Sequence, residues 1–241
     1  MSLKDELIKK GFIPQKDTKR SEKEKEIKES SSIIEPSING ITRYYIEKLS
    51  AKESYQESIL HANQWLSALH DNGFRKIIEA EFGEREKAVE LVADPISQNE
   101  IEDIERQFGF TLPPSYKDFL KEIGAVSFYN NWSDKTTSPM DLVNSSLKYL
   151  SSDVTFEDLA KEYPDSWRKG NPQIIRVCRY HGSDNHIICR NIRDKHDESP
   201  IFLVFHDDGE FYGGAPNFNQ WFVEAVCGMM EYIVQNLPKG Q

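Results

Sequence analysis

Polar and apolar positions along the chain follow three different rhythms, each predicting its own kind of structure. Gln15 to Ser32 holds almost no apolar side chain and cannot repay the entropy of ordering through burial. Leu3, Leu7 and Ile8 ahead of it make one amphipathic turn, too little for a core. Residues 1–40 are therefore expected to be a polar, mobile segment. From Ile41 the spacing becomes helical: Ile41, Tyr44, Tyr45 and Leu49 share one face, and Tyr55, Ile59, Leu66 and Leu69 continue the pattern. Asn72-Gly73 interrupts it, Phe74, Ile77 and Ile78 resume it, and Gly83 breaks it again before Ala88, Leu91 and Val92. Residues 41–93 thus predict a helical N-terminal region of short hairpins.

The most sharply defined local signals begin at Ile96. Ser97-Gln98-Asn99-Glu100 is a capping box, with Ile96 and Ile101 placed as a hydrophobic staple. Ile101, Ile104 and Phe108 form the buried stripe of the helix, and Gly109 supplies its left-handed end. Pro113-Pro114 turns the chain into a second helix, in which Tyr116, Phe119, Leu120 and Ile123 share a face before Gly124. A loop containing Trp132 and a short helix around Thr155 to Glu162 are expected next. The period then falls to two. Ile174 to Tyr180 and His186 to Asn191 read as strands around a turn at 181–185, Ile201 to Phe205 as an interior strand, and Glu210-Phe211-Tyr212 as a fourth. Asn217 caps a closing helix striped by Phe218, Trp221, Phe222, Ala225, Met229 and Ile233. Helices, then strands, then a helix predict an α+β domain over residues 94–241.

Composition narrows the function. Forty acidic residues face 30 basic ones, a formal charge of −10, and residues 96–241 carry most of it, with 14 bases against 22 acids. An acidic chain with no cationic stripe argues against direct nucleic-acid binding and for basic partners. Apolar runs are a handful of residues, against the roughly 20 needed to cross a bilayer, so no membrane association is expected. The N-terminus has no apolar leader, and three cysteines (Cys178, Cys189, Cys227) fit a reducing, cytoplasmic setting without disulfides.

Phosphate-loop, dinucleotide, His-Glu-x-x-His and nucleophile-elbow patterns are missing from the sequence, and neither an enzyme nor a cofactor is expected. Cys178-x-x-His181 with His186-x-x-Cys189 has zinc-ligand composition, but strand alternation turns the first pair to opposite faces, so no metal is assigned. His206-Asp207 reads as the start of a turn with Asp208-Gly209 and Cys227 as a buried thiol. Tyr129 and Trp132, in a polar stretch with Asp134, fit either interface anchors or a loop tucked under its own aromatics. Asp207, Asp208 and Glu210, beside Tyr212, are candidates for an acidic contact patch, to which Glu102, Asp103 and Glu105 could add.

The run Ile101-x-x-Ile104-Glu105-x-x-Phe108-Gly109-x-x-Leu112-Pro113-x-x-Tyr116-x-x-Phe119-Leu120 resembles the entry signature of the SUKH superfamily, which includes bacterial toxin-immunity proteins and fungal cell-wall synthesis regulators. Gly182-Ser183-Asp184-Asn185, Pro200 to Asp208 and Phe218-x-x-Trp221-Phe222 are similar to later family segments, so the resemblance covers about residues 94–236. Gly124-Ala125-Val126 stands where the family has an Asn-Gly-Gly-like turn. The resemblance implies an antiparallel sheet flanked by helices. It also implies a non-enzymatic, intracellular immunity protein that neutralises a cognate polymorphic or contact-dependent toxin by occluding its active site. The other roles weighed are a regulatory scaffold and, behind it, a metal-dependent hydrolase. The expected contact residues are Tyr129, Trp132, Asp134, Asp207, Asp208, Glu210 and Tyr212, facing a basic toxin domain.

Overall fold

Four helices open on a short polar side chain that accepts a backbone N–H three residues on: Ser37 from Gly40, Ser54 from Glu57, Ser97 from Glu100 and Asn217 from Gln220. The computed structural model describes residues 37–50, 54–129, 135–142, 174–180, 184–189, 193–204 and 211–238. In chain order they form α1 (Ile38–Ile46), α2 (Tyr55–Leu69), a π-helical turn (His70–Phe74), α3 (Arg75–Phe82) and β1 (Val89–Ala93), followed by α4 (Gln98–Phe108) and α5 (Pro114–Glu122). Strands β2 (Ala125–Phe128), β3 (Lys135–Thr136), β4 (Ile174–Tyr180), β5 (Asp184–Cys189), β6 (Ile201–Val204) and β7 (Phe211–Gly213) precede α6 (Phe218–Gln235). The seven strands lie in chain order in one sheet, each antiparallel to its neighbour. This is the expected α+β architecture with a helical N-terminal region.

Local chemistry explains the helix ends. Both halves of the capping box at Ser97 and Glu100 are formed, and Gly109 closes α4 at φ 71°. At the Leu-Pro corner, Leu112 N–H donates to the Glu105 carboxylate at 2.7 Å, so α4 holds the entry to α5. Asn72 and Gly73, the latter at φ 89°, make the π-helical turn between α2 and α3.

Three sequence expectations are corrected. Ala88, Leu91 and Val92 belong to no helix, because Val89–Ala93 is a strand paired with Ala125–Phe128. Five residues are too few to separate a helical from a strand period, and β-branched Val89 and Val92 take the pleated form once a neighbour exists. Residues 125–128, assigned to no strand from the sequence, are that neighbour, brought alongside by Gly124 at φ 89°. The β4–β5 turn is tighter than expected: β5 begins at Asp184, opposite Tyr180. The helix expected around Thr155 to Glu162 and the 1–36 segment lie outside the described residues.

One core cluster runs from Ile41, Tyr44 and Trp65 through Phe119 and Val126 to Ile188, Phe222 and Ile233. α1 and α2 pack on α6, and Trp65 Nε1 donates to Thr42 Oγ1 at 2.9 Å inside that seam. An aromatic group of Tyr55, Phe119, Phe218 and Phe222, with ring centroids 4.9 to 6.5 Å apart, joins α2, α5 and α6.

Candidate functional site

Where the N-terminus of α2, helix α5, the loop before β6 and the start of α6 converge, the surface folds into an acidic pocket of about 300 Å³. Asp118, Glu122 and Glu198 line it, together with Ser54, Tyr55, Ser115 and Asn219. Two of the carboxylates sit on helix ends. Glu198 accepts from Ser115 N–H at 2.9 Å and from Ser115 Oγ at 2.6 Å, capping α5 from 83 residues away. Glu122 accepts from Gln56 N–H at 2.9 Å, in the first turn of α2. Ser115 Oγ also accepts from Phe218 N–H at 3.3 Å, so one serine serves two helix N-termini.

Tyr55 forms the pocket wall. Its ring packs edge-on against Phe119 and Phe222, at 5.2 and 5.3 Å, and its hydroxyl donates to Ser115 C=O at 2.7 Å. Burial, reinforced by Asp118, Glu198 and Glu122, pushes its pKa far up, so the hydroxyl stays a donor. The pocket therefore offers carboxylate and hydroxyl oxygens to a cation.

The contact residues expected from sequence fall differently. Tyr129 is fully buried: its hydroxyl donates to Gly83 C=O, and the Arg85 guanidinium lies 5.6 Å from the ring centroid. Its ring also packs edge-on against Phe82, with centroids 6.4 Å apart, so the side chain sits against the α3–β1 connection. Trp132, Asp134, Asp207, Asp208 and Glu210 lie outside the described residues, and Tyr212 is placed only as the β7 residue opposite Leu203.

Cys178 and His186 are cross-strand partners, with Cys178 buried and the His186 ring 5.2 Å from Trp221. Cys189 sits opposite Ile174 instead, three residues and roughly 10 Å along β5. His181 and His206 lie outside the described residues, among which no three His, Cys, Asp or Glu side chains gather as metal ligands. Burial first, then Glu231 and Glu224, push the Cys227 thiol up to about 11, which keeps it protonated near neutrality.

Sequence reasoning missed the pocket because its carboxylates come from positions 118, 122 and 198, whose shared role appears only when distant helix ends meet. Among the described residues no helix is long and apolar enough to cross a membrane.

The capped α4, the Leu-Pro corner, the antiparallel strands and the closing helix together define a small α+β module of the SUKH type. The family model described as SMI1-KNR4 cell-wall matches residues 98–222, and the chain belongs to that SUKH family. No curated protein matches the chain.

Proposed function

We propose that this protein is a cytoplasmic immunity protein that binds a cognate polymorphic or contact-dependent bacterial toxin and blocks its active site. The observation that carries this reading is the SUKH family match over residues 98–222. The charge supports it: a protein at −10, with its acids concentrated in residues 96–241, draws in a basic toxin domain and speeds association, by roughly 10–10³-fold where the potential is focused. Toxins acting on nucleic acids are a natural target class, because they must display cations to phosphates. Inhibition of this kind is steric and needs neither catalysis nor a cofactor. In this reading Trp132, Asp134, Asp207, Asp208, Glu210 and Tyr212 belong to the contact face.

The test is co-expression with the product of the neighbouring gene. Growth arrest by that product, relieved by this protein through direct binding, is the expected outcome, with Asp207→Asn plus Asp208→Asn slowing association at low salt. A toxic neighbour that is neither bound nor relieved would sink the proposal. The family's cell-wall description favours one other reading, a non-enzymatic regulatory scaffold. A gene with no toxin beside it, and a product that co-purifies with cell-wall synthesis proteins, would favour that role.

A further inference from the structure

Strand β1 is one edge of the sheet, and an edge strand carries main-chain groups that a fold must cover or leave to another chain. Tyr129 N–H donates to Ala88 C=O at 2.8 Å, and Val89, Glu90 and Leu91 then lie opposite Phe128, Ser127 and Val126. Antiparallel pairs alternate, so the main-chain groups of Ala88 and Glu90 point at β2 while those of Val89 and Leu91 point outward. Asn63 takes both outward groups of Val89. Its Nδ2 donates to Val89 C=O at 3.1 Å, and Val89 N–H donates to its Oδ1 at 2.9 Å. A side-chain amide thus stands in for a neighbouring strand for one residue. Two residues on, where the register with β2 shifts between Leu91 and Ala93, Leu91 has no such cover among the described residues.

The side chains tell the same story. Among the described residues the exposed large hydrophobics are Leu60, Leu91, Val92 and Met140, and Leu91 is 62% exposed. Two of these four, Leu91 and Val92, lie on β1 itself, and Leu60 lies on α2, the helix whose Asn63 reaches Val89. On α2, Gln56, Leu60 and Asn63 follow one flank; Gln56 N–H reaches Glu122, and Asn63 reaches Val89. Gly124, two residues past Glu122, abuts Asp94 C=O. Helix α2 and strand β1 therefore run side by side in opposite directions, with Leu60 one turn from Asn63 on the same flank of α2. The acids on these elements are Glu57 on α2, Glu90 in β1 and Asp94 just after it, with Glu122 held at the start of α2 through Gln56 N–H, and Lys87 precedes the strand.

We propose that the open edge of β1 docks an extended basic segment of a partner protein by strand addition. Leu91 supplies the two main-chain hydrogen bonds, Leu60 and Val92 take apolar side chains on either face, and the acidic rim selects lysine or arginine alongside them. A second copy of this chain is a poor fit, because pairing two such edges brings their acidic rims together. The inference rests on the reading that this protein works by protein contact.

The probe is a blocked hexapeptide of alternating valine and lysine, followed by backbone amide NMR and hydrogen exchange on the full chain. The expected result is saturable binding that slows exchange of the Leu91 amide at least about tenfold, a change of roughly 1.4 kcal/mol. N-methylation of alternate peptide amides, or glutamate in place of lysine, abolishes the binding. Leu91→Lys combined with Leu60→Lys weakens it at least about tenfold without altering the melting temperature. Absence of saturable binding, equal binding of the methylated or glutamate peptide, or a wild-type dimer that Leu91→Lys dissociates would each overturn the proposal. A neighbouring-gene toxin bound equally well by wild type and Leu91→Lys would overturn strand docking and leave the immunity reading intact. A neighbouring product that is toxic but unbound, together with the expected peptide result, would overturn the immunity reading and leave the docking edge standing.

Discussion

Ser115 shows how much one side chain can hold. Its amide and hydroxyl donate to Glu198, and its oxygen accepts from Phe218 N–H, so Ser115→Ala removes both hydroxyl bonds while the amide keeps its bond to Glu198. A loss of about 1–2 kcal/mol in chemical denaturation is expected. Two glycines give a sharper contrast. Gly109, at φ 71° with open space where a Cβ would be, should lose about 1 kcal/mol on conversion to alanine. Gly124, at φ 89°, would place its Cβ 2.2 Å from Asp94 C=O, and Gly124→Ala should cost more than about 3 kcal/mol and disturb the β1–β2 pairing. Comparing the two denaturation midpoints separates backbone conformation from collision. Titration belongs to this scale too. Hydrogen bonds from the Ser97 amide and hydroxyl hold Glu100 below the usual carboxylate range, and those from the Glu198 and His196 amides do the same for Asp194. A folded pKa lower than the unfolded one contributes stability above the unfolded pKa and loses it as pH falls through the folded value. Glu100→Gln should therefore lower the melting temperature at neutral pH and flatten its decline toward about pH 3.

Among the elements, the helices declared themselves in the sequence far better than the strands on the N-terminal side of the sheet. The α4 box, the proline corner of α5 and the Asn217 cap of α6 are written in contiguous residues and form as expected. Ile174–Tyr180 carries enough β-rich sequence to be read as a strand by itself, whereas Val89–Ala93 and Ala125–Phe128 do not. They become strands because Gly124 folds them together and because Asn63 closes the outer side of Val89. Asn63→Ala removes both bonds and leaves the Val89 amide uncovered. Its exchange protection should fall about tenfold while the β5–β6 amides keep theirs, measured residue by residue. If protection falls uniformly across the sheet, the edge does not open independently.

Across the whole molecule, the family match and the cooperative core have different extents. The match spans 98–222, yet Tyr44, Trp65 and Leu66 from α1 and α2 share one cluster with Phe222, Val226 and Ile233 of α6. A chain restricted to residues 96–241 would expose that face of α6 and lose β1. It is expected to lack a cooperative thermal transition and to bind a hydrophobic dye, as circular dichroism and dye fluorescence would report. What the sequence determined alone was whatever depends on neighbours a few residues apart: caps, helix stripes, the proline corner, the acidic balance and through these the SUKH resemblance. Tertiary structure decided what depends on residues far apart in the chain. It turned Tyr129 inward, set Glu198 on Ser115, gathered three carboxylates into one pocket and left Leu91 open at an edge. A hydrogen-bond partner 83 residues away leaves no trace in local periodicity, and exposure at a sheet edge exists only after every other strand has found its place.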